Sequence, residues 1–355
     1  MNLQSPHLTI EMTQEIFYCK EALHLESGEI LPEFQLSFTT QGQLNEKKDN
    51  VIWVLHALTG DANPQEWWAG LVGEDKFYDP SRHFIICANF LGSCYGSTQP
   101  LSLNPSTGKA YYYDFPNITT RDIAASMEKL RLHLGLEKID SVIGGSLGGQ
   151  VALEWAYTLQ DRLNNAIIIA SNAKASPWII GFNETQRMAI ESDQTWGSLD
   201  PAAGKKGLET ARAIGMLSYR HPQTFIQNQS ETEEKRDNFK ISSYLRYQGM
   251  KLANRFNALS YWTLSKAMDS HDLGRSRGGT AAALARIQCR VLSIGIDTDL
   301  LFTCTESRFV SNHVPKGTYR EIRSLYGHDA FLIEYEQLNY ILKSFYLENN
   351  HSIST

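Results

Sequence analysis

The sequence has few features that point to a membrane, a nucleic acid or an oxidising compartment. No apolar run reaches the roughly 20 residues that a transmembrane helix needs. The formal net charge is −6, and no cluster of basic residues offers a surface for nucleic acid. The five cysteines are an odd number without a Cys-x-x-Cys pair, which argues against a disulfide framework and against a zinc site. We therefore expect neither a membrane nor a nucleic acid as a partner, and no bound metal.

The N-terminal segment and the composition are those of an ordinary globular protein. Met1–His7 lacks the basic segment followed by an apolar segment that marks a secretory leader, so we expect a cytoplasmic location. Hydrophobic residues make up 42% of the chain and charged residues 20%, which is typical of a globular fold. With 355 residues, the chain can form one large domain with an insertion, or two domains.

Short apolar runs of β type alternate with helical stretches along the chain. Their hydrophobicity is continuous rather than alternating, as strands that are buried on both faces require. The runs are Val51–Leu55, His83–Cys87, Ser141–Ile143, Ala166–Ala170 and Val291–Gly295. The predicted fold class is therefore α/β, with a mostly parallel sheet and helices on both of its faces.

Two segments depart from this pattern. Ile30–Thr39 alternates between apolar and polar residues and contains a proline, which is typical of an antiparallel edge strand leading into a sheet. A long later segment has helical periodicity without any buried strand. It predicts a helical lid domain at residues 176–285, inserted into a discontinuous core of residues 1–175 and 286–355.

The most informative string is Gly-Gly-Ser-Leu-Gly at 144–148. It lies between a β-type run, Ile139–Ile143, and a helix-forming run, Gly149–Ala156. This context predicts a nucleophile elbow, because a side chain at either flanking glycine would collide with the neighbouring strand or helix. Ser146 is then the predicted nucleophile. The N–H group of Leu147, at the start of the helix, is a predicted oxyanion donor.

A serine nucleophile needs a histidine base, and the histidine needs a carboxylate partner. In α/β-hydrolase folds the acid and then the histidine follow the serine, on loops after late strands. His328 follows a glycine on such a loop and is the predicted base. Asp297 and Asp299 both follow one strand, and spacing leaves open which is the acid. The second oxyanion donor is predicted to be the N–H group of Ala57 or Leu58, after an early strand.

Five strings together resemble the homoserine O-acetyltransferase family, and the resemblance runs from about Gly28 to the last helix. They are Phe90–Thr98, Phe115–Thr119 with Asp122, Gly144–Ala156, Tyr244–Gly249 and Ser270–Gly279. The resemblance implies the α/β-hydrolase fold and transfer of an acetyl group from acetyl-CoA to L-homoserine, in methionine biosynthesis. It further implies a ping-pong course through an acetyl-serine, a homodimer formed through the helical insertion, and no cofactor besides the co-substrate acetyl-CoA.

The resemblance also implies roles for individual residues. It places the catalytic acid immediately before a Leu-Leu-Phe segment, which identifies Asp299, and it assigns His328 as the base. Asp329 is implied as the partner of the amino group of homoserine. Arg212 and Tyr219, in the helical insertion, match residues that hold the substrate carboxylate and line the pocket. A planar guanidinium group suits a carboxylate because it donates two parallel hydrogen bonds.

Some positions depart from the family pattern, and one run is ambiguous. Ser93 and Gln99 stand where the family usually has glycine, and Asn257 stands where aspartate is usual. The loop that contains Ser93 and Gln99 is placed where it affects the acyl group. Succinyl-CoA as donor and L-serine as acceptor therefore remain alternatives, with an esterase or thioesterase as a third. Arg275 and Arg277 either approach the phosphates of CoA or order the lid.

Overall fold

The computed structural model describes residues 12–351, with side chains described through residue 348. Met1–His7, on which the expectation about a leader rests, lies outside the described residues. The strands are β1 (Thr13–Cys19), β2 (Leu23–His24), β3 (Ile30–Leu31), β4 (Phe34–Gln41), β5 (Val51–Leu55), β6 (Phe84–Ala88), β7 (Ile139–Gly145), β8 (Leu163–Ile169), β9 (Arg290–Ile296) and β10 (Gly317–Ile322). The helices are α1 (Pro64–Trp67), α2 (Thr120–His133), α3 (Leu147–Leu159), α4 (Pro177–Glu191), α5 (Lys205–Tyr219), α6 (Pro222–Gln229), α7 (Lys240–Ala253), α8 (Ala258–Asp269), α9 (Thr280–Leu284), α10 (Cys304–His313) and α11 (Tyr335–His351).

An eight-stranded sheet forms the centre of the fold, in the order β1-β4-β6-β5-β7-β8-β9-β10. The strands from β6 to β10 in this order pair in parallel, whereas β1 with β4 and β4 with β6 pair antiparallel. All the predicted buried runs are strands of this sheet. β5 has the predicted bounds, and the others differ only at their ends. The predicted α/β class and mostly parallel sheet are confirmed.

Helices cover both faces of the sheet, which explains why the central strands are apolar throughout. Trp53 of β5 packs edge-on against Trp155 of α3, with ring centroids 4.8 Å apart. Its neighbour Ile52 belongs to a second cluster, which contains Phe345 of α11. Successive residues of a strand point to opposite faces, so both faces of β5 need apolar side chains.

The prediction of an edge strand at Ile30–Thr39 is wrong in two respects. The segment is split at Pro32: β3 pairs with β2 in a separate two-stranded sheet, and β4 joins the main sheet. β4 is antiparallel as predicted, but it lies between β1 and β6 rather than at the edge. The edge strand is β1, whose pattern is obscured because Ile16 and Tyr18 are exposed although apolar. Proline lacks the N–H group that a continuous ladder needs, which accounts for the split.

Helices α4 to α9 all lie between β8 and β9, and no strand occurs in this described stretch. Helices α4, α5 and α7 pack backbone to backbone. A Cβ atom on Gly207 of α5 would lie 2.5 Å from Ala189 O of α4, and one on Gly249 of α7 would lie 2.4 Å from Glu209 O of α5. The helical insertion is therefore present, and its bounds of 176–285 as a separate lid domain stay a prediction.

Three further observations concern the described part of the chain. Within residues 12–351, no helix combines the length and apolar character that a bilayer span requires. The five cysteine thiols are free. No group of three or more His, Cys, Asp or Glu side chains in the same range is arranged to hold a metal ion.

Close packing of α4 against α5 predicts opposite effects for two Gly→Ala substitutions. Alanine is favoured over glycine within a helix by roughly 0.5–1 kcal/mol. Gly181→Ala in α4 should show this gain, because nothing lies within 4 Å of its new Cβ atom. Gly207→Ala should instead lower the free energy of unfolding by roughly 1–3 kcal/mol, as overpacking does. Denaturant unfolding of the two variants measures both effects, and a stabilised Gly207→Ala protein would contradict the packing described.

Candidate active site

A single residue, Ser146, joins the end of β7 to the start of α3. Its backbone has φ +57° and ψ −125°, a conformation that residues with a side chain rarely adopt. The conformation is held from both sides: Ser146 N–H donates to Ile169 O at 3.0 Å, and Ser171 Oγ donates to Ser146 O at 2.8 Å. Strain of this kind persists only where surrounding contacts enforce it, which is common at active sites.

The flanking glycines make this turn possible, as predicted. A Cβ atom on Gly144 would lie 2.4 Å from the carbonyl group of Gly148. One on Gly148 would lie 2.3 Å from Leu55 O, at the end of β5. Both distances are far below van der Waals contact with backbone that cannot move aside. The predicted collisions with the helix and with the neighbouring strand are therefore confirmed.

His328 and Asp299 form a buried hydrogen-bonded pair. His328 lies in the 3₁₀ turn Gly327–Leu332, and its Nδ1 atom is 2.7 Å from Asp299 Oδ2. The other carboxylate oxygen of Asp299 accepts from the N–H groups of Leu301 and Phe302, at 2.8 and 3.0 Å. These bonds fix the carboxylate toward the imidazole. Spacing could not decide whether Asp297 or Asp299 pairs with the histidine. Of the two, only Asp299 bonds to His328.

Asp297 has a different contact. This exposed side chain accepts from Ser324 N–H at 2.9 Å and thereby connects the loop after β9 with the loop after β10. A carboxylate in a loop commonly accepts backbone N–H groups in this way. Asp297 therefore supports the two loops that carry Asp299 and His328.

The surroundings of His328 favour a basic imidazole. The rings of Phe302, Phe331 and Tyr219 lie 5.2, 5.5 and 5.8 Å from it, centroid to centroid. Burial alone would lower the pKa of His328, but the charge and hydrogen bond of Asp299 and the charge of Asp329 together raise it above its ordinary value. Because Nδ1–H donates to Asp299, Nε2 is the nitrogen left to accept a proton.

Two other buried histidines are fully engaged in structural bonds. His56 Nδ1 lies 2.7 Å from Ala57 O, and its Nε2 accepts from Phe90 N–H at 3.0 Å. His271 bonds to Thr120 Oγ1 and to a backbone carbonyl at 3.0 and 3.1 Å. Burial lowers the pKa of His56 to about 4 and that of His271 to about 3. Both therefore stay neutral and shape loops.

The serine turn and the histidine turn adjoin each other. A Cβ atom on Gly145, the residue before Ser146, would lie 2.6 Å from the ring of Phe331, which is in the same 3₁₀ turn as His328. Within the described chain the Ser146 hydroxyl group makes no hydrogen bond. In substrate-free enzymes the bond between nucleophile and base is commonly long and shortens when substrate binds.

The two predicted oxyanion donors come from segments that touch. Leu147 is the first residue of α3, so its N–H group has no acceptor within the helix. The close approach of Gly148 to Leu55 O holds this helix start against the end of β5. Leu58 lies three residues after the end of β5 and is buried, as part of the turn that contains Ala57. A Cβ atom on Gly148 would also lie 2.9 Å from His56 O, so the start of α3 approaches the segment that leads into this turn, and the role of Leu58 stays a prediction.

The insertion brings Arg212 and Tyr219 toward the histidine. The guanidinium carbon of Arg212 is 5.5 Å from the ring centroid of Tyr219, whose ring is 5.8 Å from that of His328. Both side chains are half-buried. Among the described residues no carboxylate forms an ion pair with Arg212. Its guanidinium group is therefore available to pair with the carboxylate of a bound ligand.

Asp329 lies beside His328 but has a partner within the protein. Its Oδ2 atom accepts from Arg220 Nε at 3.1 Å, and both side chains are partly accessible. Asp329 therefore presents one remaining carboxylate oxygen to a ligand. Its predicted role toward an amino group requires that oxygen.

Two departures from the family pattern contact each other. Gln99 Oε1 accepts from Asn257 Nδ2 at 3.1 Å and from Ser260 Oγ at 2.8 Å. Asn257 also caps α8, because its Oδ1 accepts from Ser260 N–H at 2.7 Å. An ionised aspartate could cap the helix but could not donate to Gln99. The two changes therefore form one paired substitution. Ser93 is buried without a hydrogen-bonding partner for its hydroxyl group, and nothing in the structure explains it.

The ambiguous arginines are engaged in ion pairs. Arg275 binds both carboxylate oxygens of Glu26, at 2.9 and 2.7 Å. Arg277 bonds to Glu154 at 2.6 Å, and its guanidinium carbon lies 3.9 Å from the ring centroid of Tyr157. These contacts favour the ordering role over contact with CoA phosphates.

Three side chains of the insertion bind the loops of the site. No sequence pattern identifies these three side chains. Trp178 Nε1 donates to Leu300 O at 2.6 Å, and Arg255 donates to Thr59 O at 2.8 Å. The third is Arg220. Each contact joins segments 109 to 196 residues apart, so no local signal could reveal it.

Asp299 bonds to His328 whereas Asp297 does not, and this difference leads to a prediction. Asp299→Asn should lower the pKa of His328, because it removes the charge and the strong acceptor that raise this pKa while burial remains. An NMR titration of the histidine ring protons measures the change. Asp297→Asn is the matched control and should leave the pKa of His328 near its original value. An unchanged pKa in Asp299→Asn would contradict the pairing.

The chain matches the alpha/beta hydrolase fold family over residues 50–335. It is 83% identical over 350 residues to the homoserine O-acetyltransferase of Cyclobacterium marinum, which covers 99% of this chain and 100% of that protein.

Two solved structures share the fold at low identity. The structure of esterase E22 has a TM-score of 0.86 and 22% identity, and covers 94% of this chain and 100% of that one. The homoserine O-acetyltransferase from Bacillus anthracis has a TM-score of 0.85 and 24% identity, and covers 93% of this chain and 97% of that one. The high identity over nearly the whole length decides the assignment: the chain belongs to the homoserine O-acetyltransferase family and has the α/β-hydrolase fold.

Proposed function

We propose that this protein transfers an acetyl group from acetyl-CoA to the side-chain hydroxyl group of L-homoserine, as a step of methionine biosynthesis. The observation that carries the proposal is the location of Arg212. This half-buried arginine has no carboxylate partner among the described residues and lies one aromatic ring away from His328. Such a group suits the carboxylate of an amino-acid substrate.

The geometry of the serine turn supports the following first half-reaction. Ser146 Oγ attacks the thioester carbonyl carbon, and His328 Nε2 takes the hydroxyl proton. The N–H groups of Leu58 and Leu147 stabilise the negative charge on the carbonyl oxygen. When the C–S bond breaks, the proton on His328 passes to the CoA sulfur, and an acetyl ester remains on Ser146. Asp299 holds the imidazole and stabilises its charged form.

The second half-reaction uses the polar groups around the insertion. The carboxylate of homoserine binds Arg212 and its ammonium group binds Asp329, while Tyr219 lines the space between the insertion and His328. His328 then removes the proton of the homoserine hydroxyl, whose oxygen attacks the acetyl ester. Ser146 leaves with that proton. Exclusion of water by the insertion would favour transfer over hydrolysis.

The fold alone does not distinguish transfer from hydrolysis, because esterase E22 has the same fold. A simple esterase needs no cation beside its acyl site, so Arg212 favours the transferase. Succinyl-CoA as donor and L-serine as acceptor remain the alternatives within this proposal, since they require only small changes of pocket shape.

A homodimer through the insertion and a cytoplasmic location complete the proposal. The outer surface of α5, α6 and α7 exposes large apolar side chains, which supports an interface there. They are Leu217, Ile226, Tyr247 and Met250, with 51%, 65%, 53% and 47% of their surface accessible.

The proposal predicts which substrates release CoA thiol. Acetyl-CoA with L-homoserine should release thiol faster than succinyl-CoA, L-serine or no acceptor, because only that combination completes both half-reactions efficiently. The measurement is continuous thiol detection with the two donors crossed against the two acceptors and a blank. Ser146→Ala should abolish release, since no other group can carry the acetyl ester. Equal rates with and without homoserine would instead identify a thioesterase.

A further inference from the structure

The insertion meets the histidine turn through backbone contact at Gly327, the residue before His328. Gly327 has φ +64°, and a Cβ atom there would lie 2.8 Å from His221 N and 2.9 Å from Tyr219 O. Any side chain at this position would push the turn away from the segment that follows α5. The chain from Tyr219 to His221 is thus in direct contact with the turn that presents His328.

Two side-chain bonds hold this contact on either side of Gly327. On one side, Arg220 Nε donates to Asp329 Oδ2 at 3.1 Å. On the other side, Thr224 Oγ1 donates to Leu325 O. Arg220 and Asp329 remain 27% and 19% accessible, so the pair is not sealed in the interior. Its position next to the base gives it an influence on the chemistry.

An unsatisfied polar group marks the space beside this pair. The hydroxyl group of Tyr244, on α7, is buried and has no hydrogen-bonding partner among the described residues. Burial raises the pKa of Tyr244, and the charges of Arg220, Asp329 and Arg212 also act on it. A buried hydroxyl group without a partner costs free energy, which a polar group of a ligand would recover. The Tyr244 hydroxyl group is thus a free polar group within the electrostatic reach of Arg220 and Asp329.

We infer that Arg220 is a positioning residue of the acceptor half-reaction: it fixes the carboxylate of Asp329, which both orients the ammonium group of the amino-acid acceptor and lies next to His328. The inference rests on the proposed function. Arg220 occupies Asp329 Oδ2 and leaves the other carboxylate oxygen for the ammonium group. The guanidinium group also partly neutralises the charge that His328 experiences from its neighbour in sequence.

The sign of the electrostatic effect follows from the groups around His328. They are Asp299 from the loop after β9, Asp329 from its own turn, Arg212, Tyr219 and Arg220 from α5 and its end, and Tyr244 from α7. Asp329 raises the pKa of His328. Removing the positive charge of Arg220 exposes that carboxylate more fully, so the pKa of His328 should rise further.

The experiment compares Arg220→Gln, Arg220→Lys and a control, Arg162→Gln, which changes an exposed arginine in the 3₁₀ turn Gln160–Arg162, outside the insertion, that no described carboxylate pairs with. Two quantities are measured: the KM for L-homoserine with acetyl-CoA, and the pH dependence of Ser146 acylation by a chromogenic acetyl ester. The ester assay needs no acceptor. Its acidic limb reports the pKa of the base in the free enzyme.

Arg220→Gln should raise the homoserine KM about tenfold or more, the loss expected for a charge-assisted contact. It should move the acidic limb upward by roughly half a pH unit. Arg220→Lys keeps the charge, so its acidic limb should lie closer to that of the unmodified protein than the limb of Arg220→Gln does. Its homoserine KM should recover less completely than the limb. Arg162→Gln should leave both quantities unchanged. A contact that only stabilises the fold would not move the limb.

A double variant tests whether Arg220 acts through Asp329. In an Asp329→Asn background, Arg220→Gln should lose most of its effect on the limb; a full effect there would overturn the inference. The inference would also fail if the acidic limb of the pH profile were the same for Arg220→Gln and for the unmodified protein. If Arg220→Gln does not fold, an Arg220→Lys protein whose homoserine KM equals that of the unmodified protein would decide against the inference. Absence of transfer to homoserine in the unmodified protein would overturn the proposed function, whereas a limb shift in Arg220→Gln would still show that Arg220 acts on His328 through Asp329.

Discussion

The structure depends on the one-residue turn at Ser146. β7 and α3 can be joined this tightly only because Gly144 and Gly148 bring strand and helix backbones into contact. That contact places the start of α3 against the end of β5, from which the chain continues into the turn of Leu58. It also leaves the serine side chain at the carboxyl edge of the sheet, where the loops after β9 and β10 bring Asp299 and His328 together. A looser turn would move Ser146 away from the start of α3 and the end of β5.

The insertion is attached to each loop of this site. Trp178 binds the loop of Asp299, Arg255 binds the loop of Leu58, and Arg220 binds the turn of His328. These bonds make the insertion part of the catalytic framework rather than a loose cover. Under the proposed function, a fixed insertion excludes water while Arg212 of the insertion and Asp329 of the histidine turn bind the amino acid. This arrangement supplies a physical reason for transfer to an alcohol on a fold that esterases also use.

The central strands and the serine turn were predictable because their signals are local. Continuous hydrophobicity identifies buried strands, and the glycines of the turn are dictated by contacts within one βα unit. Other features depend on tertiary partners. The edge position belongs to β1, whose exposed Ile16 and Tyr18 hide its alternation. Spacing could not separate Asp297 from Asp299. The pairing of Gln99 with Asn257 and of Arg220 with Asp329 joins distant segments, so no local pattern carries it.

The central claim is that Ser146 carries the acetyl group between two half-reactions. Intact-mass measurement after mixing the protein with acetyl-CoA, without an acceptor, tests it most directly when peptide mapping follows. The account predicts an increase by one acetyl group, located on Ser146, which disappears when L-homoserine is added. An enzyme that releases CoA thiol only when homoserine is present, and never acquires an acetyl group on Ser146, would contradict it.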